Sequence, residues 1–225
     1  MHRMLKGYFN IIGIAEWCCF VASLLLLDKK TTYWRFFQLF IFIVICVETI
    51  GWYMNYIIRR PTNALPFNLL MLLSFVFFIW LFTKSKEMQK IKTGLQLLML
   101  LFSIVGLVNF FFLQKFWKYN SYTQTLGDIL LVIISAYFLF LVLKAPEYKN
   151  LFGYEYFWLA NGLIVSSMGS MLLYYFGDSL YAYYKETKIP VYDYINSVLN
   201  VVLYGSLIIG FICRRKTTRL SPVLS

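Results

Sequence analysis

The sequence predicts an all-α integral membrane protein, a seven-transmembrane-helix bundle with its N-terminus outside and its C-terminus in the cytoplasm. Three observations lead there: an apolar composition, seven apolar runs of membrane-crossing length, and an uneven split of Lys and Arg between the connections. Of the 225 residues, 60% are hydrophobic, 20% aromatic and 14% charged, against about 25% charged in soluble domains. Seven spans of ~20 residues use ~140 and leave ~85 for six loops and two tails. A domain needs roughly 50 contiguous residues, so a fused kinase, a nuclease or a large extracytoplasmic sensor is not expected within this stretch.

The runs lie at about Phe9 to Leu27, Phe36 to Ile58, Pro66 to Phe82, Gly94 to Leu113, Tyr122 to Leu143, Tyr156 to Phe176 and Tyr192 to Cys213. Each is continuously apolar over ~20 residues instead of alternating over ~10, which favours helices over a barrel. The first follows His2, Arg3 and Lys6 and so imitates a signal peptide, but Glu16 interrupts it and no small-residue cleavage site precedes Asp28; a retained helix is expected. Pro61 and Pro66 bracket a turn before the third run. The longest connection, Gly177 to Val191, joins the sixth and seventh, and residues 214–225 form a basic tail.

Counting Lys and Arg by side gives eight on one face (Arg3, Lys6, Arg59, Arg60, Lys115, Lys118, Lys185, Lys188) and thirteen on the other (Lys29, Lys30, Arg35, Lys84, Lys86, Lys90, Lys92, Lys144, Lys149, Arg214, Arg215, Lys216, Arg219). Cytoplasmic loops are enriched in these residues, so the thirteen-residue face should be cytoplasmic, although Arg59 and Arg60 oppose this locally. The net charge of +11 is thereby assigned to headgroups and topology, and no nucleic-acid partner is expected.

Ionisable residues inside a span are costly and tend to face a bundle interior. From the outer ends of their spans, Glu16 lies ~10 Å down, Glu48 ~15 Å and Asp128 ~9 Å at 1.5 Å per residue. Asn55, Asn68, Asn109, Asn196 and Asn200 fall in the same outer half, with Asn161 the exception. Glu48, Trp52 and Asn55 follow i, i+4, i+7, Asp193, Asn196 and Asn200 follow i, i+3, i+7, and Gln124 and Asp128 share a face. Convergence of these stripes would make an outward-facing pocket lined by Glu16, Glu48, Asn55, Asn109, Asp128, Asn196 and Asn200, suited to a small cationic or protonatable ligand. The same groups could instead bond one another as interhelical glue.

The outer rim is rich in tyrosine: Tyr174, Tyr175, Tyr181, Tyr183, Tyr184, Tyr192 and Tyr194, with Tyr53, Tyr56, Tyr119 and Tyr122 at the same level. One reading is an interfacial aromatic belt; the other is a collar that holds a cationic or flat ligand by ring-face attraction. In span six, Gly162, Ser166, Gly169 and Ser170 form a small-residue face for close backbone approach, either to a neighbour in the same chain or to a second copy in an oligomer.

Several chemistries lack their residues. His2 is the only histidine, and Cys18, Cys19, Cys46 and Cys213 sit in or beside apolar runs without zinc or disulfide spacing, so no metal and no cofactor are expected. The seventh run has no lysine for a retinal Schiff base, and no Gly-rich phosphate loop appears. No catalytic residues are assigned, though two carboxylates in different environments can split their pKa values, which leaves an intramembrane acid–base enzyme using Glu48 with Asp128 or Glu16 open.

The run Glu155-Tyr156-Phe157-Trp158-Leu159-Ala160-Asn161-Gly162-Leu163, with Val47-Glu48-Thr49 and the Asn196 to Asn200 stripe, resembles a family of uncharacterised seven-helix inner-membrane proteins of Bacteroidota. Members of that family are often encoded near sensor histidine kinases, so the resemblance implies a sensory or accessory role, a bacterial inner-membrane location and a signalling partner of that kind. It carries over no catalytic residues. A receptor-like function is therefore expected, with a small transporter coupled through an intramembrane carboxylate as the alternative.

Overall fold

The computed structural model describes residues 11–27, 32–58, 62–115, 117–145 and 150–220. The described residues contain helices and turns but no strand. In chain order the α-helices are α1 (Ile11–Leu26), α2 (Thr32–Tyr56), α3 (Ala64–Phe82), α4 (Lys92–Val108), α5 (Ser121–Lys144), α6 (Glu155–Tyr175), α7 (Gly177–Thr187) and α8 (Val191–Leu220). Short 3-10 turns precede α4 and α6, and a π-helical turn, Asn109–Leu113, extends α4.

Six helical stretches are long and apolar enough to cross a membrane: Trp34–Asn55, Ala64–Phe82, Gln89–Leu113, Ser121–Lys144, Glu155–Tyr175 and Val191–Thr217. The remaining apolar helix, α1, has 16 described residues, and the start of the first expected span at Phe9 lies outside the described residues. So do Arg3, Lys6, Lys29, Lys30, Arg59, Arg60 and Lys149 of the topology count, as well as His2, Pro61 and residues 221–225.

The distribution of side chains identifies the solvent. Phe112 is 76% exposed and Leu25 69%, whereas Glu16 is 2% exposed and Asn68 fully buried. Water would drive the reverse arrangement; lipid tails are as apolar as leucine and favour polar groups turned inward. The chain is a multi-pass helical membrane protein.

It divides into two compact units, Met1–Gly127 and Asp128–Ser225, with the boundary inside α5. In the first unit α1 and α2 pack antiparallel: Gln38 Nε2 donates to the Ser23 carbonyl at 3.0 Å, and the Phe20 and Phe42 rings lie 6.0 Å apart. An aromatic seam joins α2 to α3, where Phe77 stacks on Phe40 at 4.2 Å and meets Phe37 edge-on at 5.0 Å. Phe75 of α3 stacks on Phe102 of α4 at 3.8 Å. Such ring pairs contribute ~0.5–1.5 kcal/mol each beyond burial, which matters where lipid removes the hydrophobic drive for helix association.

In the second unit α6 packs along α8. A Cβ on Gly162 would stand 2.7 Å from Ser206 Cβ, and one on Gly169 would collide with the Leu199 side chain. Gly162 and Gly169 therefore let α8 of the same chain approach closely. Two further features depart from the hydropathy reading. Gly177–Val191 is not a plain loop, because most of it is α7, and the basic tail stays helical through Leu220. At 30 residues, α8 spans ~45 Å, well beyond a ~30 Å hydrocarbon core, so its basic end projects as helix.

Candidate functional site

The expected pocket residues are distributed over both units: Glu16, Glu48, Asn55 and Asn109 in the first, Asp128, Asn196 and Asn200 in the second. In the first unit Glu16 is buried on α1, while Glu48 on α2 is half-buried. The antiparallel register set by Ser23 with Gln38 and Phe20 with Phe42 brings Glu16 level with residues 45–46, so the two carboxylates differ in height by only ~4 Å. Among the described residues no hydrogen bond or ion pair reaches Glu48. Asn55, two turns along the same stripe, is exposed.

Asn109 has a structural occupation. Its Nδ2 donates to Thr123 Oγ1 at 2.7 Å and to Gln114 Oε1 at 2.9 Å, and its Oδ1 accepts from the Gln114 N–H at 3.3 Å. Gln114 Nε2 then donates to Ser121 Oγ at 3.1 Å, and Gln114 Oε1 accepts from the Tyr122 N–H at 3.2 Å. The network begins at the π-helical turn, where the changed ladder lets the Gln114 N–H bond the Asn109 carbonyl at 3.0 Å. A second amide does similar work on α3: Asn68 Nδ2 donates to the Lys118 carbonyl at 2.8 Å and its Oδ1 accepts from the Asn120 N–H at 2.9 Å. Both asparagines secure the α4–α5 connection to neighbouring helices, which is the interhelical-glue reading of these two positions. Thr123, Gln114, Ser121 and Asn120 were not singled out as site residues in the sequence, because their role depends on a reverse connection that hydropathy does not resolve.

In the second unit Asp128 is 4% exposed. Asn196 and Asn200 are half-buried on α8 and bond each other: Asn200 Nδ2 donates to the Asn196 carbonyl at 2.9 Å and to Asn196 Oδ1 at 3.2 Å. The i, i+4 spacing brought these two together as expected. Asn161 donates to the Phe157 carbonyl of its own helix at 2.8 Å.

The other end of α8 holds a pair that hydropathy treats only as flanking charge. Arg214 Nη1 donates to Glu155 Oε1 at 2.9 Å, with the two side chains 18% and 5% exposed. Among the described residues the polar groups thus differ in chemistry: Asn68 and Asn109 bond the chain, Glu155 pairs with Arg214, Glu16 and Asp128 are buried with interactions of their own, and Glu48 lies in an apolar helix without a hydrogen bond or ion pair. The last of these is where a proton or a cation has chemistry to meet. No family model, curated protein or solved structure matches this chain.

Proposed function

We propose that this protein is a receptor-like or sensory accessory protein of a bacterial inner membrane, which binds a small cationic or protonatable ligand through its intramembrane carboxylates and signals through a partner. The observation that carries this reading is the environment of Glu48: a carboxylate near mid-span, half-buried, with no hydrogen bond or ion pair among the described residues. A charge at that depth costs at least ~2.5 kcal/mol on insertion scales. It therefore either carries a proton or meets a counter-charge, and either condition links this position to something outside the fold. Glu16, at nearly the same height on the neighbouring helix α1, adds a second carboxylate within the same unit. The resemblance to Bacteroidota seven-helix proteins supports a sensor kinase as the partner.

The same feature of Glu48 favours one second reading, a small transporter coupled through this carboxylate, since intramembrane acids serve as proton and cation couplers. A thermal-stability screen of the purified protein against amines, inorganic cations, lipids and pH, run in parallel with Glu48→Gln, tests the shared core of both. A ligand at a hundredfold excess over its dissociation constant raises apparent stability by ~2.7 kcal/mol. The expected result is a ligand or pH step that shifts the wild type and not the variant. If every condition shifts the two alike, Glu48 has no ligand role and the polar groups act as glue. Counterflow in sealed vesicles then separates transport from reception.

A further inference from the structure

We propose that the junction of α7 and α8 is a binding site for a small quaternary ammonium group, separate from the intramembrane carboxylates. A cavity of about 290 Å³ opens there, lined among others by Leu180, Tyr181, Tyr184, Pro190, Tyr192 and Asp193. That volume is at the small end of ligand pockets, ~300–1,000 Å³, which suits a compact headgroup and not an extended molecule.

The chemistry of the lining selects the ligand. Three phenol rings come from two helices, and the Asp193 carboxylate is the charged group of the lining. No hydrogen bond or ion pair engages that carboxylate among the described residues; the bond from Ser197 Oγ goes to the Asp193 main-chain carbonyl. Electron-rich ring faces attract an alkylated cation that needs no hydrogen-bond acceptors, and quaternary ammonium recognition uses such aromatic cages. One of these rings already faces an ammonium: Lys185 Nζ lies 4.5 Å from the Tyr181 ring centroid. Lys185 is not itself in the lining, but in this proposal it competes with the ligand for the Tyr181 ring. The other nearby lysine has its Nζ turned to the Lys185 carbonyl at 2.9 Å, from Lys188.

The site is held by local geometry. Lys188 takes a left-handed conformation (φ 60°) that ends α7, with its N–H bonded to the Tyr184 carbonyl at 2.9 Å. Pro190 follows two residues later, a common helix stop, and the Ile189 N–H is taken by Thr187 Oγ1 at 3.2 Å. The turn between Tyr184 and Tyr192 is therefore fixed before any ligand arrives. Tyr183 and Tyr194, although exposed nearby, are not among the lining residues. Only part of the tyrosine rim forms the cage, and the rest is available to an interfacial belt.

The test uses the full chain in phosphatidylglycerol nanodiscs, titrated calorimetrically with choline, with tetramethylammonium and with 3,3-dimethyl-1-butanol, the uncharged isostere of choline. Both cations should bind saturably, and the neutral isostere should bind at least ~10-fold more weakly. Asp193→Asn and Tyr184→Leu should each weaken choline by ~5-fold or more, while Lys185→Met, which removes the competitor, should tighten it ~2-fold. Tyr183→Leu, whose side chain lies outside the lining, should leave choline binding unchanged. Repeating the titration in nanodiscs containing phosphatidylcholine identifies the source of the group: loss of choline binding there marks a lipid headgroup, and persistence marks a soluble amine. Equal binding of choline and its neutral isostere overturns the proposal, as does absence of saturation below ~10 mM. Unchanged affinity in both Asp193→Asn and Tyr184→Leu also overturns it, and if Glu48→Gln then abolishes binding, the ligand belongs to the span carboxylate instead.

Discussion

Arg214 on α8 donates a 2.9 Å hydrogen bond to Glu155 in the first turn of α6, and both side chains are largely withdrawn from solvent. The surrounding contacts make this end of the second unit a clasp. The Phe152 carbonyl accepts from Trp158 Nε1 at 2.9 Å and from Cys213 Sγ at 3.2 Å, and Gly210 approaches the Glu155 carbonyl so closely that a Cβ there would stand 3.2 Å away. Glu155 also sits at a helix N-terminus, where a negative charge is favoured.

Removing one partner of this pair should be costly. Glu155→Leu leaves the Arg214 guanidinium without its carboxylate and is expected to lower stability by about 3 kcal/mol, the scale for an uncompensated buried charge. The double variant Glu155→Leu with Arg214→Met should recover most of that loss, since apolar replacement of a whole buried pair is often neutral. Reversible unfolding in mixed micelles, measured on both single variants and the double, reads the difference. A double-variant loss equal to the sum of the two single losses would mean that the pair does not couple.

The small-residue face of α6 gives a second expectation. Gly162 lies against Ser206 and Gly169 against Leu199 of the same chain, so Gly162→Val and Gly169→Val should each cost ~1–3 kcal/mol by overpacking. Val165→Leu, on an exposed position of the same helix, should be close to neutral. The same unfolding assay checks the order, and equal tolerance at all three positions would contradict the α6–α8 packing described above.

How much of this was legible in the sequence depended on the kind of signal each residue gave. The apolar runs placed the ends of α3, α5 and α6 within two residues, because hydropathy reports directly on what a lipid-facing helix must expose. The 11-residue α7 escaped for the same reason: a polar stretch beginning at Gly177 carries no hydropathic mark. Leu180, Tyr181 and Tyr184 form one face only once the stretch is known to be helical. Glu155 and Arg214 read as flanking charges, since nothing in a one-dimensional pattern shows that residues 59 apart meet. Asn68 was visible as a polar residue at a span end, but its partners are main-chain groups at 118 and 120, invisible in any side-chain pattern. The small-residue face was legible as a packing surface; its occupant, α8, was not.

Asparagines that act as glue should separate from those facing a ligand. Asn68→Leu strands the buried Asn120 N–H and Lys118 carbonyl and should lose ~1–3 kcal/mol. Asn109→Leu should behave likewise, because Thr123 and Gln114 lose their shared partner. Asn55→Leu, at an exposed position, should leave stability within ~0.5 kcal/mol. Thermal midpoints of the three variants test this ordering, and a large loss for Asn55→Leu would assign that residue to the scaffold as well.

Orientation supplies the last prediction. With all seven apolar runs crossing, thirteen of the 21 Lys and Arg residues would fall on the face that includes the C-terminal end of α8, so that end is expected in the cytoplasm. The Glu155–Arg214 pair does not weaken the expectation, because the rule counts Lys and Arg near span ends and acidic residues contribute little to it. Arg215 and Lys216 also remain beyond the clasp on the same helix. A reporter fused after Ser225 reads the side on which the C-terminal end of α8 lies. A cytoplasmic reporter should be active there and alkaline phosphatase silent; the opposite pattern would invert the protein in the membrane and move Lys84, Lys86, Lys90 and Lys92 to the outer face. A second fusion, after Lys188 at the α7–α8 junction, must give the complementary result, since α8 separates the two points. Matching results at both fusions would contradict a transmembrane α8 itself.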